Sequence, residues 1–375
     1  MKRGITDIIG AYRGSTPINK ILRGTTLIWQ LVVDAWANIV ALAYEARVEA
    51  DYGTVEDKTV LQAELELGTE QDYLDAIAIY NPNGGKKVGK IYDVRDTDNT
   101  SPNDLTVTGG GGTRFLADGT LETVPFEMPK IDYSTGQAAF LIEPARTNLM
   151  ENVLNSAGGY NVTITLDQVG ILGQPNTALK IETVGNSGNK AYASYFPNPT
   201  ATHTHVFWIK KDQNETRFPI LSVLNAANNS PSNVHLNTKT GEYNMTVNNN
   251  NTEVFVKGRK DWWEIVIIRN ELTAVNGWRS QISPSYGSSL TSTSGSGLGS
   301  IILGHIGSYT GRVLNETPII TNGAVVTRTA LSASITVPAG VTSIEEKVNG
   351  VVNTITTIPT TYTMPNGAVE YVKFL

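Results

Sequence analysis

The sequence predicts a mainly β protein: an N-terminal mixed α/β region, a central jelly-roll β-sandwich and a small C-terminal β-hairpin domain. Three observations carry this. From about residue 150 to 315, some ten short apolar or alternating runs are separated by clusters of turn residues, the spacing of a sandwich. Charged residues make up only 17% of the 375 residues, and Gly (35), Thr, Asn and Ser fill the gap, which suits turns and polar sheet faces better than exposed helices. The last sixty or so residues repeat hairpin turns at "PAG", "NG" (349–350) and "PNG" (365–367). The expected boundaries are 1–110 for an attachment and oligomerisation region, 111–150 for a connector, 151–316 for the sandwich and 317–375 for the hairpins.

In the first region, "KILRGTTLIWQLVV" (20–33) is rich in β-branched and apolar residues and opens as a strand. From Leu31 the apolar positions Leu31, Ala35, Ile39, Leu42 and Ala46 fall at helical spacing, with Trp36 on the same segment. The run 25–46 is the most apolar in the chain, yet Gln30, Asp34 and Asn38 lie near its centre. An ionised Asp at mid-bilayer costs about 2.5–3.5 kcal/mol, so a buried or inter-subunit helix is expected, and no membrane segment. Thr54 with Asp57, and Thr69 with Asp72, have the spacing of capping boxes opening "TVEDKTVLQAELE" and "TEQDYLDAIAIY". "NPNGGKKVGK" ends the second helix. A long irregular stretch follows, in which the Gly tetrad 109–112 is expected as a hinge.

The sandwich strands are expected at "YNVTITL", "ALKIETV", "THVFWIKK", "FPILSVL", "SNVHLN", "GEYNMTV", "TEVFVK", "WWEIVIIR", "WRSQIS" and "SIILGHI". "GSSLTSTSGSGLGS" (287–300) is a low-complexity loop before the last of them.

The composition excludes several functions. A net charge of −6 without a basic cluster argues against a nucleic-acid surface. Zero cysteines exclude disulfides, thiolate zinc sites and a cysteine nucleophile. No G-x-S-x-G elbow, H-E-x-x-H or P-loop occurs. The N-terminus carries charge but no apolar signal core.

Three stretches carry a family resemblance. In "GGTRFLADGTLETVPFEMPKIDYSTGQAAFLIEPARTNLMENV" (112–153), Arg114, Glu122, Val124, Pro129, Asp132, Tyr133, Glu143, Pro144, Thr147, Asn148 and Leu149 fit a segment of bacteriophage virion proteins. "SIILGHIGSYTGRVLNETPIITNGAVVTRTA" (300–330) resembles the end of the sandwich in the same proteins, with His305-Ile306 where they usually carry Gln-Leu-Glu. "LRGTTLIW" with "EARVEADYGTVED" resembles the opening of structural proteins from crAss-like phages of Bacteroides-like hosts. The resemblance implies a non-enzymatic virion surface protein with a lectin-like, carbohydrate-binding-module-like jelly roll: a head fibre or capsid decoration, homotrimeric, assembled in the host cytoplasm and held to other virion proteins through its N-terminal region. A tail fibre or a virion-bound glycan depolymerase is the alternative. No cofactor and no catalytic residues come with it.

Candidate ligand residues are aromatic and amide. Three of the six tryptophans crowd into "DWWEIVIIRNELTAVNGW". Strand alternation places Trp263, Ile265, Ile267 and Arg269 on one face and Trp262, Glu264, Val266 and Ile268 on the other. Trp208 and Trp263 are expected in the core. Trp262, near a strand start, and Trp278, just after "NG", are expected as exposed platforms for a sugar ring, with Asn228 and Asn229 of "NAANNSPSN" supplying amides to the hydroxyls. His203 and His205 share a strand face and, with His235, have the residue types of a metal site, while Asp93, Asp96 and Asp98 offer oxygen ligands to calcium. Solvated surface is the commoner use of both sets, and no metal is expected.

Overall fold

The computed structural model describes residues 12–13, 16–17, 20–23, 26–30, 38–42, 68–82, 90–94, 105–150, 161–184, 192–196, 202–213, 217–225, 230–247, 252–270, 277–284, 289–291, 298–321 and 325–375. The chain divides into two compact units, one of residues 1–105, 335–362 and 369–375, the other of residues 106–334 and 363–368. The hairpin segment expected at 317–375 is thus shared between the two.

In the first unit, β1 (Tyr12–Arg13) pairs with β2 (Thr16–Pro17), and β3 (Lys20–Arg23) pairs with β4 (Thr26–Gln30), both antiparallel. The single strand expected from residue 20 is therefore a hairpin. Of the helix expected from Leu31, residues 38–42 are helical and Val40 is buried. Trp36 and the helix expected at "TVEDKTVLQAELE" lie outside the described residues.

Helix α1 (Glu70–Asp75) opens on the expected capping box: the Asp72 amide donates to the Thr69 hydroxyl at 3.3 Å, and the Thr69 amide donates to the Asp72 carboxylate at 2.6 Å. It stops sooner than the pattern predicts, because "AIYN" is strand β5 (Ala78–Asn81), all four residues buried. On one side β5 pairs in parallel with β6 (Ile91–Asp93), and Tyr80 stacks on Tyr92 at 4.9 Å. On its other side Tyr80 faces Val372 in the C-terminal strand. Pairing on both edges overrides a short helical pattern that buries one side only.

The C-terminal part of this unit holds β25 (Ile344–Val348), β26 (Val351–Ile355) and most of the short β27 (Thr361–Thr363) and of β28 (Gly367–Phe374). β25 and β26 form the expected two-residue hairpin. Asn349 and Gly350 have φ of 52° and 79°, the pair of positive values that a type I′ turn requires.

The second unit is the sandwich. One antiparallel sheet contains β12 (Val162–Gln168), β13 (Ala178–Thr183), β15 (Thr202–Lys210), β19 (Glu253–Gly258), β20 (Trp262–Asn270) and β22 (Ser300–Thr310), in the order β12-β13-β22-β15-β20-β19. The other contains β14 (Tyr192–Phe196), β16 (Ile220–Asn225), β17 (Ser230–Leu236), β18 (Tyr243–Val247) and β21 (Trp278–Ser283), in the order β14-β21-β16-β17-β18. All ten expected strands are present, and β14 is an eleventh. The chain passes repeatedly from one sheet to the other, as a jelly roll does. Between the sheets lies a core that draws Leu179, Phe207, Ile265 and Leu303 from the first and Leu221, Val234, Trp278 and Ile282 from the second.

The connector is not a free linker. β7 (Thr106–Phe115) and β8 (Leu121–Phe126) form a hairpin, followed by β9 (Ile131–Asp132), β10 (Ala139–Ile142) and β11 (Arg146–Asn148). β11 pairs with β23 (Val326–Arg328), and β24 (Leu331–Thr336) pairs with β7. Phe115 and Leu121 pack on the outer face of the six-stranded sheet with Trp208, Trp262, Val266 and Ile268. That sheet is buried on both faces, so β15 carries seven consecutive buried residues rather than alternating ones.

The Gly tetrad corrects the expected hinge. Gly109 to Gly112 lie inside β7 with φ of 74°, 78°, 79° and 105°. A methyl group on Gly109 would lie 2.1 Å from the Ala330 carbonyl oxygen, and one on Gly110 would lie 2.5 Å from Leu331. Glycine is required here by backbone conformation and close packing. Among the described residues, no helix is long and apolar enough to cross a membrane.

Candidate functional site

The two adjacent tryptophans of β20 point to opposite faces, as alternation predicts. Trp263 packs against the inner core and donates its indole N–H to the Thr238 carbonyl at 2.8 Å. Trp208 is fully buried on the outer face. The two expected platforms are placed differently from the sequence reading. Trp278 is 0% exposed. It is the first residue of β21, whose burial alternates from its first position, so Trp278, Ser280 and Ile282 all face inward. Trp262 is 7% exposed, its ring lying over Gly304 and against Ile171. Neither ring offers an open face to a sugar. Asn228 and Asn229 lie outside the described residues.

Trp262 nonetheless borders open space. It lines a hollow of about 100 Å³ together with Trp208, Lys210, Arg259, Lys260 and Asp261. A second hollow, of about 320 Å³, is lined by Lys210, Lys211, Asp212, Arg217, Thr238 and Ser300. Lys210 borders both. The end of β15 is thus flanked by two hollows, and its last lysines sit near the paired tryptophans: the Lys210 Nζ is 6.0 Å from the Trp262 ring and the Lys211 Nζ 4.7 Å from the Trp263 ring.

Most charges around the hollows are already paired. Arg259 bonds Glu264 at 2.7 Å, Lys260 bonds Asp118 at 2.7 Å and Arg217 bonds Asp212 at 2.7 Å. Among the described residues, no carboxylate bonds Lys210 or Lys211; the Lys211 ammonium donates to the Lys260 carbonyl at 3.1 Å, and burial lowers its pKa. The indole N–H of Trp208 is enclosed and finds no acceptor among the described residues. A buried donor left unmatched costs about 1–3 kcal/mol.

The histidines are interior rather than surface groups. His203 and His205 do share a face, with rings 5.2 Å apart, and it is the inner one. The His203 Nε2 lies 2.8 Å from the Ser308 hydroxyl and the His205 Nδ1 lies 2.8 Å from the Ser280 hydroxyl. Burial pushes the His203 pKa down to about 3 and that of His205 well below its ordinary value. His235 is buried on β17. Among the described residues, no three His, Asp or Glu side chains group as metal ligands. Asp96, Asp98 and the side chain of Asp93 lie outside the described residues.

A buried ionic joint is the feature that sequence reading missed. Glu143 is 1% exposed and bonds Lys130, Arg328 (2.8 Å), and both the amide (2.7 Å) and the hydroxyl of Thr317. Arg328 also bonds Glu316 at 2.6 Å, and Glu316 bonds Arg146 at 2.9 Å. Asn148 ties the Ile319 carbonyl to the amides of Met150 and Ser308. Two carboxylates thus meet beneath the surface, yet three cations hold them. A hollow that Glu264 and Glu316 line is about 10 Å³, room for one water. The signal was present in "EPARTN" and "VTR", whose charges recur without an exposed helix to carry them.

No family model matches the chain, and no curated protein matches it. Among solved structures, an exo-β-agarase is similar over 44% of this chain and 24% of its own, at 12% identity and a TM-score of 0.26. CBM35 from Cellvibrio japonicus Abf62 is similar over 43% of this chain and 95% of its own, at 14% identity and a TM-score of 0.23. The Clostridium thermocellum endo-1,4-β-D-xylanase 10B, CBM22-1 and GH10 modules complexed with xylohexaose, is similar over 47% and 30%, at 15% identity and a TM-score of 0.26. The chain spans less than a third of the agarase and xylanase chains it matches, and a likeness at this level assigns it to no family.

Proposed function

We propose that this chain is a non-enzymatic structural protein of a bacteriophage virion, a homotrimeric fibre or decoration on the capsid surface whose sandwich holds host or environmental glycans. The observation that carries the reading is the ionic joint. Glu143, Pro144, Thr147, Asn148 and Arg328, on which the resemblance to phage virion proteins rests, come together at one place: Thr147 bonds Thr327, and the Pro144 carbonyl accepts from Arg328. The resemblance therefore concerns residues that lock the strands entering and leaving the sandwich, which is an architectural likeness. In this reading residues 1–110 attach to other virion proteins and the sandwich faces outward.

The glycan half is supported by the hollows at the end of β15, where Asp261 and Lys210 offer an acceptor and a donor for hydroxyls beside Trp262. Each contact is weak, and many copies on one particle raise the effective concentration of the next. The test is to measure the mass of the purified chain in solution and to screen it against host-surface glycans, following both binding and release of reducing ends. A species of three 40.5 kDa chains that binds glycan without cleaving it is expected. A monomer would remove the fibre, and released reducing ends would make the protein a depolymerase.

A further inference from the structure

We infer that the glycan held at the end of β15 is an acidic one, a chain bearing sugar carboxylates, with Lys210 as the counter-ion shared by the two hollows. The inference rests on the glycan reading above and narrows it. The chain as a whole carries a net charge of −6, so an uncommitted positive site on it stands out against its own field. Counting the charges at the two hollows, Arg259, Lys260 and Arg217 are neutralised by Glu264, Asp118 and Asp212. Lys210, Lys211 and Asp261 remain, two cations against one anion.

The geometry favours the same ligand. Lys210 borders both hollows, so one ammonium reaches a ligand lying on either side of the β15 end. Lys210 and Lys211 both line the larger hollow, where Asp212 is already held by Arg217, and two ammonium donors suit a ligand group that only accepts, which a carboxylate is and a hydroxyl is not. Trp262, which lines the smaller hollow, supplies the apolar contact for the ring that carries it.

The test uses the intact chain and two probes with one skeleton: a uronic-acid oligosaccharide, and the same oligosaccharide with its carboxyls methyl-esterified. Titration at low salt is expected to show the free acid binding roughly tenfold more tightly, with the preference shrinking severalfold at 0.5 M salt, as a partly exposed ion pair must. Lys210→Met is expected to abolish the preference while leaving the far-ultraviolet spectrum and melting temperature unchanged. Equal binding of both probes would overturn the acidic-ligand inference and leave the glycan reading in place. So would a preference that survives Lys210→Met. Binding of neither probe would overturn the inference whatever neutral glycans the screen finds, and silence of the whole screen would take the glycan reading with it.

Discussion

The indole of Trp278 stacks on the imidazole of His203 inside the sandwich, with ring centroids 5.5 Å apart and planes 27° from parallel. His205 meets the same indole edge-on at 5.6 Å, and the Arg269 guanidinium lies 5.5 Å from its ring. A tryptophan expected to hold sugar therefore holds the interior polar groups of the protein's own core.

Trp278→Ala should behave as a core deletion. Loss of a fully buried indole costs about 3–5 kcal/mol, and the cavity would leave the two histidines without their packing partner. Urea unfolding of the variant should show its midpoint moved far down. Normal stability with lost glycan binding would return Trp278 to the role of platform.

Acid should destabilise the sandwich through its histidines. Burial holds the pKa of His203 near 3 and that of His305 near 4, against an ordinary 6.5. The folded values are depressed, so the unfolded chain takes up protons first. Stability is complete above about pH 6.5 and is lost as pH falls towards 4 and then 3, at up to about 1.4 kcal/mol per histidine per pH unit. The melting temperature should drop between pH 7 and 4.5, and His203→Asn should flatten part of that slope. An unchanged slope in the variant would assign the acid sensitivity elsewhere.

Glu143→Gln should be severely destabilising, by about 3–5 kcal/mol, because it leaves Lys130 and Arg328 buried without their shared anion. Burial already lowers the Lys130 pKa, with Glu143 opposing the shift. Chemical denaturation of the variant decides the point; a change below about 1 kcal/mol would mean that water reaches the joint.

The Gly tetrad should answer to alanine unequally. At Gly111 the nearest atoms to an added methyl are 3.6 Å away, so Gly111→Ala meets mainly the backbone cost of positive φ, about 1–2 kcal/mol. Gly109→Ala adds the collision with the Ala330 carbonyl and should be markedly worse. Equal effects would restore the hinge.

Much of this was legible along the chain. The ten strands are legible as short apolar or alternating runs between turn residues, the opening of α1 from Thr69 and Asp72, and the β25–β26 turn from Asn349 and Gly350, because each depends on a few neighbouring residues. The opposite facing of Trp262 and Trp263 came from the same rule. What lies across each face was decided by the tertiary structure. The six-stranded sheet is covered on its outer side by Phe115 and Leu121, more than eighty residues distant from β15, and Trp262 lies buried in the same cluster. Likewise "AIYN" becomes a strand through partners at Ile91 and Val372, and Glu143 meets Arg328 across 185 positions. Local sequence fixes the direction in which a side chain points; burial depends on which distant segment arrives there, and that is set by the packing of the whole chain.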